Sequence, residues 1–244
     1  MAKLYVVGLG PGSPDGMTLR AREVLQTSEV VTGYAAYVEL VRPLFPDKTY
    51  LTTGMRQEVE RVRAALSTAQ TGKTVALVCS GDAGVYGMSG LALELSPDFP
   101  GVEVEVVPGV SAALSGAALL GAPLMHDFAV VSLSDLLTPW ETIERRLRGA
   151  AAADFVLCLY NPASRNRPEH LKRACDVLLD YVNQDHPCGI VRNAGRAGEE
   201  IRVLTLAELR EAEVDMFCTV FVGNSQTKVI GGRLVTPRGY AYES

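Results

Sequence analysis

The chain has 244 residues, of which 48% are apolar and 21% charged, and its formal net charge is −5. This composition excludes a disordered polypeptide. The surplus of acids over scattered Lys and Arg excludes a general nucleic-acid binder, which needs clustered cations. An anionic small molecule is not excluded, because net charge does not report on arginines gathered in one cleft.

The first residues, Met1 to Val7, run into a glycine loop too early for the apolar core of a signal peptide. No window holds the roughly 20 apolar residues of a membrane helix, so the expectation is a cytoplasmic protein that avoids membranes. The five cysteines, Cys79, Cys158, Cys175, Cys188 and Cys218, form no C-x-x-C pair, and Cys79, Cys158 and Cys218, in strand-like runs, read as small core residues. With His126, His170 and His186 as the only histidines, no metal is expected.

The first unit is a strand at Leu4–Val7, the turn Gly8-Leu-Gly-Pro-Gly12 and a helix from Thr18 to about Ser28. A dinucleotide fingerprint needs glycine where Ser13 stands, which rules out a nicotinamide or flavin site here. The amides near Gly10 and Gly12 either face a ligand or close a tight turn. Val30 and Val31 read as a short strand, followed by an irregular segment through Pro46. Arg56 lies in the polar patch Thr52–Gln57, just before a helix expected over Gln57–Gln70 with Val59, Val62 and Leu66 at helical spacing. It is either a solvated helix-start residue or an anion contact. Gly72-Lys-Thr74 has the ending of a phosphate-binding loop, but the upstream glycine is replaced by Ser67 and the motif precedes a strand.

Thr74–Val78 is a strand apolar enough to be buried on both faces, and it runs into Cys79-Ser-Gly-Asp-Ala-Gly-Val-Tyr-Gly-Met88. Gly81, Gly84 and Gly87 let the backbone turn and a ligand approach, and Asp82 sets a carboxylate among amides. The alternative is a plain strand-to-helix turn. A helix to about Leu95, a strand at Val102–Val107, the turn Pro108-Gly-Val-Ser-Ala112 and a small-residue helix to about Leu120 complete this half. Repeated strand, turn and helix units predict a parallel sheet covered on both faces, whose ligands lie beyond the carboxyl ends of its strands.

Gly121-Ala-Pro123 is the expected boundary between an α/β domain over 1–120 and a second over 121–244. Beyond it, strands are expected at Phe128–Leu133, Phe155–Tyr160, Cys188–Arg192, Cys218–Val222 and Lys228–Val235, the last suiting an edge position or a hairpin. One helix is capped by Thr138 with Glu141, one opens at Pro168 and reaches about Val182, and one is capped by Thr205 with Glu208. His126 and Asp127 at the junction are either a hinge pair or an acid or base facing a cleft. Ser132, Ser134 and Asp135 divide in the same way between ligand contact and capping. There is no G-x-S-x-G elbow and no H-E-x-x-H. A site of amides, small residues, few carboxylates and some arginines suits a transferase whose reactive group comes from a cofactor.

Gly8-Leu-Gly-Pro-Gly12, Ser80-Gly-Asp-Ala-Gly-Val-Tyr-Gly87, Pro108-Gly-Val-Ser-Ala112 and Val191-Arg-Asn-Ala194 together resemble the tetrapyrrole methylases, the class III S-adenosylmethionine-dependent methyltransferases. Gly54-Met-Arg-Gln-Glu58, Leu124-Met-His-Asp-Phe128, Leu133-Ser-Asp-Leu-Leu-Thr-Pro-Trp140, Leu159-Tyr-Asn-Pro162, Asp215-Met216, Val222-Gly-Asn-Ser-Gln-Thr227 and Thr236-Pro-Arg-Gly-Tyr240 resemble the precorrin-3B C17-methyltransferase branch of cobalamin biosynthesis. The resemblance implies two α/β domains, S-adenosylmethionine in the trough between them, and a homodimer. Carried over by motif, the cofactor contacts are Pro11, Ser80, Gly81, Asp82, Val85, Ser111, Ala112, Asn161, Asn193 and Ala194. Ala83 and Asn161 depart from the common family pattern, where proline and methionine are frequent. The implied reaction is methylation of C17 of precorrin-3B, or of a cobalt-precorrin-3, with ring contraction to precorrin-4. Arg56, Arg165, Arg167 and Arg238 are the anchors expected for substrate carboxylates. Asp127 or His126 is the group expected to move a proton during contraction.

Overall fold

The computed structural model describes residues 2–241. It divides into two compact units, the first ending at Ala112 and the second beginning at Ala113. This places the division one helix earlier than the expected break at Gly121.

The first unit is built from β1 (Ala2–Gly8), α1 (Leu19–Thr27), β2 (Val30–Tyr34), α2 (Ala35–Val41), β3 (Thr49–Thr53), α3 (Glu58–Gln70), β4 (Thr74–Cys79), α4 (Ser89–Leu95) and β5 (Val102–Val107). Its five strands lie in the order β3-β2-β4-β1-β5, and every pair is parallel. The expected parallel sheet is therefore present. Two-residue alternation sorts its side chains. Leu4 and Val6 of β1 with Val75, Leu77 and Cys79 of β4 pack on Val62 and Leu66 of α3 and Ala92 of α4. Val7, Ala76 and Val78 pack on the opposite face against Val24 and Leu25 of α1 and Val38 and Val41 of α2. With both faces covered, these strands read as continuous apolar runs. The segment after Val31 is not irregular as expected, because it extends β2 to Tyr34 and forms α2.

The second unit contains nearly all of α5 (Ala112–Leu120), then β6 (Gly121–Ala122), β7 (Phe128–Ser132), α6 (Trp140–Ala152), β8 (Val156–Tyr160), α7 (His170–Leu178), β9 (Pro187–Arg192), β10 (Glu200–Thr205), α8 (Leu206–Arg210), β11 (Cys218–Val222), β12 (Lys228–Ile230) and β13 (Arg233–Val235). Its main sheet has the order β10-β9-β11-β8-β7. Only β7 and β8 pair in parallel, and the other neighbours are antiparallel. Leu157, Leu159, Ile190, Val220 and Val222 face α6, α7 and α8, while Cys158, Val191 and Phe221 face α5. Phe221 is fully buried, and a Cβ added at Gly116 of α5 would come 2.8 Å from its ring. That close approach fixes α5 to this sheet. Burying a phenylalanine contributes about 1.5–3 kcal/mol.

Two expectations change locally. The helix expected from Thr138 is capped at Pro139, and no side chain bonds its first turn, so no capping box forms there. The helix expected from Pro168 to about Val182 is confined to His170–Leu178. The run Lys228–Val235 forms a hairpin, one of its two expected forms, and its β13 pairs with β6. The capping box at Thr205 and Glu208 is formed as expected. No helix of the described residues is long and apolar enough to cross a membrane.

Candidate functional site

In the first unit every strand runs in the same direction, so the turns after β1, β4 and β5 leave from one sheet edge. They are laced together by backbone. The Leu9 amide donates to the Cys79 carbonyl at 2.9 Å, and Gly10 and Gly81 exchange amide-to-carbonyl bonds of 3.0 and 2.9 Å. The Gly10 amide therefore closes a structural turn and is not offered to a ligand. Gly81 takes φ +66°, whereas neither Gly84 nor Gly87 adopts positive φ. A Cβ at Gly109 would meet the Gly81 carbonyl at 2.2 Å, so the β5 turn approaches the β4 turn as closely as only glycine allows.

Asp82 completes this lacing. Its Oδ1 accepts the amides of Gly84 at 2.8 Å and Val85 at 3.1 Å, and its Oδ2 accepts the amide of Gly109 at 3.0 Å. The Asp82 carboxylate is thus a strut between two turns. It shapes the edge on which Pro11, Ser80, Gly81, Val85, Ser111 and Ala112 lie. Ser80, Ser111 and Ala112 are half-buried, and Val85 and Tyr86 are exposed. Nothing here is a strong nucleophile, since burial pushes the Cys79 thiol up to about 11. All five cysteines are buried, as was expected of Cys79, Cys158 and Cys218.

In the second unit one edge of the main sheet gathers the exits of β7, β8 and β9 with the entries of β10 and β11. Asn161 and Asn193 follow β8 and β9, and both adopt positive φ, at 52° and 51°. Nδ2 of Asn161 donates to Ser132 Oγ at 2.9 Å, and Ser132 Oγ also accepts the Ser134 amide. Ala194 follows in the same turn, beside Arg192, whose Nη2 lies 2.8 Å from Asp215 Oδ2. The two residues are 23 apart in the chain, so no local motif signals this ion pair.

The arginines divide. Arg165 is exposed and borders a hollow of about 510 Å³ with Lys172, Glu169 and Glu213. Arg167 is largely buried, with Nε 3.9 Å from Asp135 Oδ1. His170 Nε2 lies 3.1 Å from Asp135 Oδ2, within ion-pair distance but off the line of a hydrogen bond, so its buried ring nitrogens lack a hydrogen-bonding partner among the described residues. The contact with His170 holds the Asp135 carboxyl below its ordinary range. Asp135 thus clamps the loops after β7 and β8, which removes Arg167 from the exposed anchors. Arg238 Nη1 donates to the Met125 carbonyl at 2.9 Å, and His126 Nε2 donates to that of Pro237 at 2.9 Å. His126 and Asp127 precede β7, so they sit at the opposite edge from Ser132 and Asn161, about 16 Å away at the usual rise per residue. They are not brought together with the asparagine turns, and the hydrogen bond to Pro237 makes His126 a tie within its unit.

Residues 3–210 match the Tetrapyrrole (Corrin/Porphyrin) Methylases. The chain belongs to this family. It is 51% identical over 97% of its length to a probable cobalt-factor III C(17)-methyltransferase of Salmonella typhimurium, covering 99% of that protein. It is 48% identical over 98% of its length to a cobalt-factor III methyltransferase of Priestia megaterium, of which it spans 45%. Among solved structures it resembles the methyltransferase CobJ, with a TM-score of 0.90, 35% identity and coverage of 97% of this chain and 100% of that one. It also resembles a uroporphyrin-III C-methyltransferase of Thermus thermophilus complexed with S-adenosyl homocysteine, with a TM-score of 0.70, 27% identity and coverage of 91% and 92%.

Tetrapyrrole methylases use S-adenosylmethionine, and the donor set of the first unit's edge suits it. Hydroxyls, backbone groups and small residues match a nucleoside and an amino-acid zwitterion, and the one carboxylate is already held in the scaffold. Asp82→Ala should therefore lower stability by about 2 kcal/mol or more by leaving three amides unpaired. It should also weaken S-adenosylhomocysteine binding about tenfold. Asp82→Asn should fall between, because one side of the strut survives. Urea unfolding and titration calorimetry measure both effects, and unchanged stability would show that the strut is not formed.

Proposed function

We propose that this chain is the S-adenosylmethionine-dependent methyltransferase that methylates C17 of a precorrin-3-level macrocycle, with ring contraction to the precorrin-4 level. The observation that carries the reading is full-length similarity, at 51% identity, to a protein named for C17 methylation of cobalt-factor III. The names of the relatives at 51% and 48% identity favour a cobalt-bearing substrate over metal-free precorrin-3B. Cobalt enters here as part of the substrate.

When bound, the cofactor supplies a sulfonium-activated methyl group. What remains for the protein is alignment, exclusion of water and recognition of the ring's carboxylates. In the first unit we assign cofactor contacts to Pro11, Ser80, Gly81, Val85, Ser111 and Ala112, with Asp82 holding their backbone. In the second we assign them to Asn161, Asn193 and Ala194, whose turns the Ser132 tie and the Asp135 clamp keep in place. Arg56 and Arg165 are exposed and reach carboxylates as bidentate donors. We assign His126 and Asp127 a tie at the far sheet edge and not the proton step. A cytoplasmic location and a homodimer complete the proposal, on the family resemblance.

Incubation with methyl-13C-labelled cofactor and cobalt-factor III should place the label at C17 of a contracted ring, read by NMR. The His126→Ala, Asp127→Ala double variant should retain contraction. Label at another ring carbon would replace the reading with that of another methyltransferase of the same fold.

A further inference from the structure

Arg61 of α3 is only 4% exposed, yet it is in no ion pair among the described residues. A buried guanidinium is expected to face a carboxylate, because an uncompensated charge is costly away from water. Here its partners are neutral. Nε donates to Thr53 Oγ1 at 2.6 Å, Nη2 donates to the Gly54 carbonyl at 2.7 Å, and Nη1 faces the weakly accepting Met88 sulfur at 3.9 Å. The fork thus grips the exit of β3. The turn it grips is also closed on itself, since the Gly54 amide donates to Gln57 Oε1 at 2.8 Å and the Arg61 amide donates to the Gln57 carbonyl.

Arg56 stands at the crest of this turn. It is exposed, has no hydrogen bond or ion pair among the described residues, and is held at φ +60°. A non-glycine residue in that conformation costs of order 1–3 kcal/mol and persists only where its surroundings impose it. The same small surface exposes Leu51, Met55 and Val59. A strained, unpaired guanidinium amid apolar side chains, with a second uncompensated cation buried behind it, fits an amphipathic anion.

We propose that the Thr53–Gln57 turn is a carboxylate subsite for one acid arm of the tetrapyrrole, with Arg56 as the contact and Arg61 as the positioning residue that sets the turn. The inference rests on the methyltransferase reading for its natural ligand, but its test does not depend on turnover. The probe is uroporphyrin III, an octacarboxylate tetrapyrrole, titrated into the full chain by fluorescence. Arg56→Gln should weaken its binding about tenfold, as expected for one exposed charge-assisted contact, and should flatten the salt dependence. Arg61→Met should weaken it to a similar degree in the parent and have no further effect in the Arg56→Gln background, because it acts through Arg56. Arg61→Lys keeps the charge but cannot span Thr53 and Gly54. It should behave as Arg61→Met does, and it carries the cycle if the methionine variant fails to fold. S-adenosylhomocysteine binding should be unchanged in Arg56→Gln.

Equal uroporphyrin binding by parent and Arg56→Gln, or no binding by the parent, would overturn the subsite. An Arg61 effect of the same size in both backgrounds would overturn the positioning role. Failure of C17 labelling with this cycle intact would refute the substrate assignment and leave the subsite standing.

Discussion

Everything at the carboxyl edge of the first unit depends on how the Asp82 carboxylate is used. A parallel strand leaves its last backbone groups without ladder partners, and three such exits lie side by side here. Asp82 collects amides from two of them, while the Gly10–Gly81 exchange joins the third. The loops consequently behave as one platform and not as three independent turns. Binding affinity is sensitive to such preorganisation, because an ordered platform does not lose conformational entropy when a ligand arrives.

The second unit solves a related problem with different chemistry. Its sheet is mixed, so strand exits and entries alternate along the edge, and side-chain ties replace the shared backbone lacing. Asn161 to Ser132, Asp135 to His170 and Arg167, and Arg192 to Asp215 each join two neighbouring segments. Two of these ties lie next to the asparagines in the left-handed conformation, a conformation that asparagine tolerates better than most residues. Both units leave exposed arginines free at such an edge while other arginines are consumed in holding it.

Much of the fold was legible in the sequence because periodicity reports burial. The runs at Leu4–Val7, Thr74–Val78 and Val156–Tyr160 are strands, and their apolar continuity or alternation reflects which faces are covered. The helix α2 was missed because Tyr34–Val41 offers no capping side chain. The capping box at Thr138 was over-read because a proline occupies the cap and no side chain bonds the first turn. For the site, motif spacing located the loops but could not tell a ligand-facing carboxylate from a structural one. The bond from the Gly109 amide to Asp82, 27 residues away in sequence, has no sequence signature. Arg61 carried no signal at all, since a charged residue in a helix is ordinarily solvated.

The most direct measurement is a crystal structure of the chain with S-adenosylhomocysteine bound. The ligand should lie against Ser80, Gly81 and Ser111, with the Asp82 carboxylate still accepting the Gly84, Val85 and Gly109 amides. A ligand bound elsewhere, or an Asp82 side chain turned away from Gly109 to meet it, would contradict the account.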